Sequence, residues 1–577
     1  MDALTYLALG LLAVLIIFFG ISKITGDDDI FWHLATGKWV IEHRTIPAHD
    51  VFGLISQDQT WIPFEWGWDV VSYALYSLTG NYMGVQLLPV LIYLVIFTLL
   101  VSIMRKLKIT PSLILLILLL TLIVSLDRLT PRPHVISLLG ITLIIYLYTN
   151  SRYSVPRTIK RLWWLPVIFC LWTNAHPGVI TGFLLLFILY LLEIVFFLVQ
   201  GGRSTASVLY PLDVKSLLIM GTIVILCAAG MTLNPQGINT FVYTYTHTQM
   251  KLLGVIREWS PPFGADTPSS GPLWAYKIMI VVGGVSIYYS IRRKDFLPIL
   301  LYVAFGLFSL RAVRFMADFA IGTAIGTAAG LNEISRRYSR PLRFFVEGKV
   351  LMVILILFML FSIVTVPGNS FYDRINYYRR FGFGIDREFF STHMMDFLKK
   401  NGIKGNVFNN LDIGGLLMWE RFGEKNFIDS RNLSDDHAKE YYSILTMQPG
   451  FEEKLKRYDI DYVVLHLHDL LSSPNVMQLS LISYCSTHRD QWKLVYWDDR
   501  AFLYLKNVPK FNGVIRQYEY KMFDPYLYAF RRSEFDSLRT ANPIVVQGEI
   551  RRKLTEDPEG KIANLLAQYV QSSDFKK

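Results

Sequence analysis

The feature that most constrains this chain is a set of unbroken apolar runs. Most approach the ~20 residues that an α-helix needs to cross a bilayer. Eleven such runs can be placed, at 4–22, 84–104, 111–126, 134–149, 162–174, 178–199, 217–233, 273–291, 296–310, 316–331 and 350–366. A soluble chain of 577 residues would divide its core among several domains and would not need them. Only 18% of the residues are charged, against roughly 25% in ordinary soluble domains. Aromatics make up 14%, which excludes a disordered chain. The expectation is a polytopic α-helical membrane protein with about 11 transmembrane helices. The shortest runs leave room for a re-entrant pair. The first run has no basic stretch before it and no small-residue cleavage site after it, so it reads as a retained anchor. The three cysteines, Cys170, Cys227 and Cys485, lie far apart and imply no disulfide framework.

The formal charge of +11 does not call for nucleic acid, because the basic residues are concentrated in one set of loops. Loops 105–108, 151–161, 200–216, 292–295 and 332–349 carry 17 Lys/Arg in 54 residues. Loops 23–83, 127–133, 175–177, 234–272 and 311–315 carry nine in 115. The positive-inside rule places the first set in the cytoplasm. The N-terminus is then cytoplasmic, and everything after about 367 is extracytoplasmic. The expected location is the cell (inner or plasma) membrane. The loop of 61 residues at 23–83 is too long for a plain connection. Its two helical stretches, 29–43 and 64–78, carry Trp32, Trp39, Trp66 and Trp68, and Trp61 lies between them. Tryptophan favours the headgroup level, so these read as helices lying on the outer face.

Residues 1–367 thus form a transmembrane module. Residues 368–506 change character and read as an extracytoplasmic α/β domain. Its candidate strands are 406–410, 426–430, 462–466, 492–497 and 501–505, the last two joined by Asp498-Asp499 as a hairpin. Residues 507–577 read as a charged, partly helical extension.

Polar groups at the outer boundary are the candidates for chemistry. The first-loop sequence GDDDIFWHLATGKW (26–39) places three aspartates at a membrane surface. Their repulsion calls for a metal ion, a cationic partner or a helix N-terminus. Simple capping by Asp27 or Asp28 has about even weight. In a helix, Asp29 and His33 share a face, a pair able to bind metal or relay a proton. The loop DRLTPRPH (127–134) offers Asp127, Arg128, Arg132 and His134, with Pro131 and Pro133 stopping helix. Pairing among its own charges is the competing reading. The turn WTNAHPG (172–178) offers Asn174 and His176. Capping and a tight turn account for Asn174, Pro177 and Gly178 but poorly for His176. In RAVRF (311–315), Arg311 and Arg314 would share a helical face and clamp a phosphate. Snorkelling to lipid headgroups is nearly as good an account. Glu65 and Glu258, each followed by a tryptophan, are further candidates for the border of a site.

No P-loop, GxGxxG, CxxC, HExxH or GxSxG occurs, so ATPase, dinucleotide oxidoreductase and zinc-protease readings lose their usual support. The order of features resembles the GT-C superfamily of integral membrane glycosyltransferases. This includes oligosaccharyltransferase catalytic subunits, protein O-mannosyltransferases and aminoarabinose transferases. It is most similar to a bacterial group whose first loop reads D-x-D-x-x-W-H-L-x-T-G-x-W. Here that motif is Asp27, Asp29, Trp32, His33, Leu34, Thr36, Gly37 and Trp39. The group also tends to show E-W (Glu65, Trp66), R-P (Arg132, Pro133), N-x-H (Asn174, His176) and N-P-x-G (Asn234, Pro235, Gly237).

The resemblance covers roughly residues 1–505. It implies transfer of a sugar from a polyprenyl-phosphate donor to an extracytoplasmic glycan, lipid or protein acceptor, by inverting displacement. Asp27 or Asp29 would act as base, with His33 and His176 orienting groups or binding acceptor. Arg132, Arg311 and Arg314 would hold the leaving phosphate. A divalent cation, Mg or Mn, would have Asp27 and Asp29 as its candidate ligands. The second D-x-D or E-x-D of metal-dependent oligosaccharyltransferases is missing, and Asp127 alone occupies that loop. Membrane lipids are expected partners and nucleic acid is not.

Three other readings compete. A transporter or flippase of lipid-linked glycans should show inverted repeats or paired broken spans, and neither is detectable. A non-enzymatic scaffold for envelope assembly explains the outer domain but not the acidic loop with outer arginines. A membrane O-acyltransferase would use His134 or His176 and leave the aspartates unexplained.

Overall fold

A computed structural model describes residues 2–574 apart from 27–28, 155–156, 201–211, 266, 339–343, 345, 347–348, 432, 467–477 and 479. Contacts divide the chain into two compact units. The first comprises 1–23, 36–46 and 62–384; the second comprises 24–35, 47–61 and 385–577.

The first unit is helical, and each of the eleven apolar runs contains helix. Among the described residues, six helical stretches are long and apolar enough to cross a membrane: Ala3–Gly20, Met83–Lys106, His134–Arg152, Val179–Val199, Val214–Met231 and Gly271–Arg293. Pro111–Val124, Leu297–Ser309 and Lys349–Thr365 are apolar but shorter. The run at 162–174 forms a 3-10 turn, Lys160–Trp164, and then a helix of nine residues, Leu165–Thr173. Nine residues rise ~14 Å, about half of a hydrocarbon core. The chain is a multi-pass membrane protein.

Small residues let these helices approach closely. Met316–Tyr338 is rich in Ala and Gly and packs against Leu297–Ser309, Val285–Arg293 and Pro111–Val124. Trp172 is fully buried between two other helices. A Cβ added at Gly140 or Gly182 would lie 2.3 or 2.4 Å from its ring. In the first loop, helices form at Asp29–His43 and Trp66–Thr79, close to expectation. Gly37 sits where they cross, because a Cβ there would lie 2.0 Å from the Asp69 carbonyl oxygen.

The second unit is built on a four-stranded sheet: β1 Asn406–Asn409, β2 Ile460–His466, β3 Trp492–Trp497 and β4 Ala501–Lys506. The order is β1-β2-β4-β3, with β1 and β2 parallel and the other pairs antiparallel. The β3–β4 hairpin forms as expected. Its turn is closed by Asp498, whose Oδ1 accepts from the backbone N–H groups of Arg500 and Ala501. The expected strand at 426–430 is absent. Asn426 instead forms an isolated bridge with Gly53. Asp429 and Arg431 then enter an ion cluster: Arg431 reaches Asp50 at 2.7 Å and Asp429 at 2.7 Å while lying over the Trp61 and Phe52 rings. That cluster fastens the 47–61 segment of the first loop into this unit. The helices after 507 share the same core, to which Tyr520, Phe523, Ile550, Leu566 and Val570 contribute.

Candidate functional site

The first unit gathers charged side chains from four separate segments. Glu65 occupies the N-cap position of Trp66–Thr79, where its side chain makes no capping hydrogen bond. Arg128 ends a 3-10 turn, Leu126–Arg128, and its carbonyl accepts a hydrogen bond from His134 Nε2 at 2.7 Å. Arg132 follows on the proline-stiffened stretch. Glu258 lies in the turn Arg257–Trp259, and Arg314 in the turn Val313–Phe315. The Val313 N–H donates to the Ser260 carbonyl at 2.9 Å, which ties these two turns together.

One carboxylate collects the arginines. Glu258 Oε2 lies 3.5 Å from Arg128 Nη1 and 3.2 Å from Arg132 Nη1, and its Oε1 lies 3.3 Å from Arg314 Nη1. The Arg314 guanidinium stands 4.2 Å from the centre of the Trp259 ring, a cation–π contact. Burial works to raise the Glu258 carboxyl, but Arg314, Arg132 and Arg128 together outweigh it and hold it at about 2. Burial lowers Arg314 to about 10; Glu258 opposes that shift, and its arginine neighbours add to it. Three guanidiniums around one carboxylate leave an excess of positive charge suited to an anion.

Beside this cluster is an acidic pair. Burial raises the Glu65 carboxyl to about 8, and Arg314 pulls it only part of the way back. Asp69, one turn further on, is completely buried. Burial, and then the charge of Glu65, push it well above the usual carboxylate range. His176 Nε2 lies 3.6 Å from Glu65 Oε1. The His176 Nδ1 side faces the Gly178 N–H at 3.1 Å and Ser137 Oγ at 2.5 Å, so Nδ1 is the acceptor nitrogen. Ser137 Oγ in turn accepts from Trp172 Nε1 at 2.9 Å. His176 is thereby held with Nε2 on the side of Glu65, near enough for the imidazole and the carboxyl to interact electrostatically.

The structure brings Glu65, Arg128, Arg132, His176, Glu258 and Arg314 together. The remaining candidates are placed differently. Asp127 accepts a 2.5 Å hydrogen bond from Tyr377, which ties its loop to the segment before 384. His134 supports the Arg128 backbone. Asn174 accepts from Trp66 Nε1 at 3.0 Å and donates to the Cys170 and Leu233 carbonyls, so it staples three segments. The expectation that Arg311 and Arg314 share a helical face is corrected. Ala312 is extended (φ −158°, ψ 145°) and a 3-10 turn follows, so Arg314 turns to Glu258 while Arg311 is exposed.

In the second unit, Asp29 Oδ1 accepts from Trp32 Nε1 at 3.2 Å, and the Trp32 ring lies against buried His33, tilted by 34° with 3.6 Å between ring centres. Burial holds His33 well below its usual range, so the ring is neutral. Asp27 lies outside the described residues. No group of three or more His, Cys, Asp or Glu side chains is placed to hold a metal ion among the described residues. Of the expected cation ligands only Asp29 is described, and its Oδ1 already takes the indole N–H. The described residues by themselves do not make up a donor set for a divalent cation.

Two acidic residues of the site went unremarked in the sequence. Asp69 stands four residues after Glu65, a spacing that was available. Asp318, which lies in the field of Arg128 and Arg314, is the lone ionisable residue in the run 316–331. An ionisable residue within such a run is by default a functional candidate.

No family model and no curated protein matches the chain. Solved structures do. One is the oligosaccharyltransferase of Archaeoglobus fulgidus tethered with an acceptor peptide containing the NVT sequon (TM-score 0.52, 10% identity, covering 87% of this chain and 74% of that one). Another is ArnT from Cupriavidus metallidurans bound to undecaprenyl phosphate (0.51, 11%, 88% and 99%). A third is the arabinofuranosyltransferase AftD from Mycobacteria (0.51, 13%, 89% and 40%).

Proposed function

From the premise that the chain has the GT-C fold of these membrane glycosyltransferases, we propose that it moves a sugar from a polyprenyl-phosphate-linked donor to an extracytoplasmic acceptor. The acceptor is a glycan, a lipid or a protein. The observation that carries this reading is the set of three guanidiniums, Arg128, Arg132 and Arg314, converging on one point.

The reaction is a single inverting displacement. The acceptor hydroxyl oxygen forms a bond to the anomeric carbon as the bond from that carbon to the phosphate oxygen breaks. The bonding pair leaves with the phosphate, and Arg132, Arg314 and Arg128 stabilise its growing charge. The acceptor's proton passes to Asp29 or Asp27. His33 and His176 orient groups or bind acceptor, and Glu65 borders the site beside His176. The protein sits in the cell membrane as a multi-pass protein, with a cytoplasmic N-terminus and an extracytoplasmic C-terminal domain that helps hold acceptor.

The test compares lipid-linked and surface glycans by mass spectrometry with and without the gene. The expected result is loss of one sugar, with its polyprenyl-phosphate donor accumulating. Restoration by the wild-type gene but not by Asp27→Asn or Asp29→Asn supports the base assignment. Unchanged glycans would overturn the function, and full complementation by both variants would overturn the base.

A further inference from the structure

The arginine cluster is already occupied by an anion that belongs to the protein. We propose that Glu258 is a built-in competitor, holding the three guanidiniums between turnovers and exchanged for the phosphate group when substrate binds. This rests on the polyprenyl-phosphate reading above and assigns Glu258 a positioning role, where the sequence suggested only the border of a site.

The geometry shows how poorly a carboxylate suits this cluster. Charge-assisted N–H···O contacts settle near 2.7–2.9 Å and are often bidentate for arginine. Here the shortest contacts of the three pairs are 3.5, 3.2 and 3.3 Å. Two carboxylate oxygens are shared among three guanidiniums. A phosphate group can offer one oxygen to each. In the donor, a phosphodiester, these would be two free oxygens and the oxygen bridging to the sugar. Charge grows on that bridging oxygen as the glycosidic bond breaks, so the third guanidinium gains most in the transition state. The departing monoester has three terminal oxygens and more negative charge than the donor. The site therefore favours its product, and a competing internal anion offsets that preference and helps expel it.

Glu258 is also the group best placed to move. Its side chain is 27% exposed, against 9%, 22% and 19% for Arg128, Arg132 and Arg314. The arginines keep other anchors when it leaves. Arg314 stays on the face of Trp259, the Arg128 backbone is held by His134, and the Val313–Ser260 hydrogen bond keeps the two turns together. A carboxylate that serves only as structural mortar would be expected where exposure is least.

An occupant that must be displaced raises the apparent Kd by the fraction of time it fills the site. The experiment measures binding of farnesyl phosphate, inorganic phosphate and farnesol to the full-length protein in detergent, by calorimetry, for wild type, Glu258→Gln and Glu258→Asp. Glu258→Gln keeps the shape and removes the competing charge. It should bind farnesyl phosphate about tenfold or more tightly and leave farnesol unchanged. Glu258→Asp keeps the charge on a shorter arm and should tighten binding by a smaller factor, which covers the case in which the Gln variant fails to fold. Weaker or unchanged binding of both farnesyl phosphate and inorganic phosphate, in whichever variant retains the wild-type thermal transition, overturns the exchange. If inorganic phosphate shows the enhancement and farnesyl phosphate does not, exchange stands and the polyprenyl-phosphate reading fails. If farnesyl phosphate binds wild type and variants equally and inorganic phosphate shows no enhancement either, the lipid-phosphate reading survives and exchange fails.

Discussion

Replacing Glu65 by Gln removes one proton that the folded protein holds unusually tightly. The carboxyl is buried at the head of Trp66–Thr79, and burial raises it from 4.5 to about 8 against the partial pull of Arg314. The native state keeps this proton over a range in which the unfolded chain has already lost it. Stability from this group is therefore fully present below pH 4.5 and lost as the pH rises toward 8. Each pH unit in that window costs about 1.36 kcal/mol, which over the whole window amounts to on the order of 5 kcal/mol. Asp69 contributes in the same direction, because its carboxyl is raised by burial and by Glu65. The assay is the thermal midpoint of detergent-solubilised protein followed from mildly acidic to mildly alkaline pH. The wild-type midpoint should fall across this range, and Glu65→Gln should fall less steeply. Infrared spectra at neutral pH give an independent reading, since the C=O stretch of a protonated carboxylic acid should be lost in the variant. Equal pH slopes for the two proteins, with no loss of that band, would mean that Glu65 is ionised at neutral pH and would refute the burial argument.

Arg314→Gln removes the guanidinium held by Glu258 and Trp259 and should weaken farnesyl phosphate binding by roughly thirtyfold, about 2 kcal/mol, in calorimetry. Gly37→Ala would drive a methyl group into the Asp69 carbonyl at 2.0 Å and toward Tyr73 Cβ at 2.9 Å. Because the nearest atoms are backbone, it should cost ~1–3 kcal/mol and lower the thermal midpoint. Arg431→Met leaves the buried Asp50 and Asp429 carboxylates without their common cation. It should cost ~3–5 kcal/mol and expose the 47–61 segment to limited proteolysis, with partial recovery when Asp50→Asn is added.

What the sequence determined by itself was the local and the periodic. Apolar runs specified where helix forms, because any backbone in hydrocarbon must satisfy its own hydrogen bonds. The first-loop helix at 29–43 and the Asp498-Asp499 hairpin followed from capping, turn chemistry and alternation. Arg128, Arg132 and Arg314, at the ends of apolar runs, were recognisable as candidates because charge is costly there, and Glu65 and Glu258 because each precedes a tryptophan in a long outer loop. Tertiary structure alone decided which of them meet. Arg128 and Glu258 are 130 residues apart, and no spacing rule relates them. It also separated Arg311 from Arg314 with one extended residue, gave Asn174 and Asp127 to the packing of loops, and turned 426–430 from a strand into part of the Asp50–Arg431 cluster. The reason is physical. Propensity and periodicity act over a few residues, whereas the pairing of buried charges depends on which helices pack together, and that depends on close approaches such as Gly37 on Asp69 and Trp172 between Gly140 and Gly182.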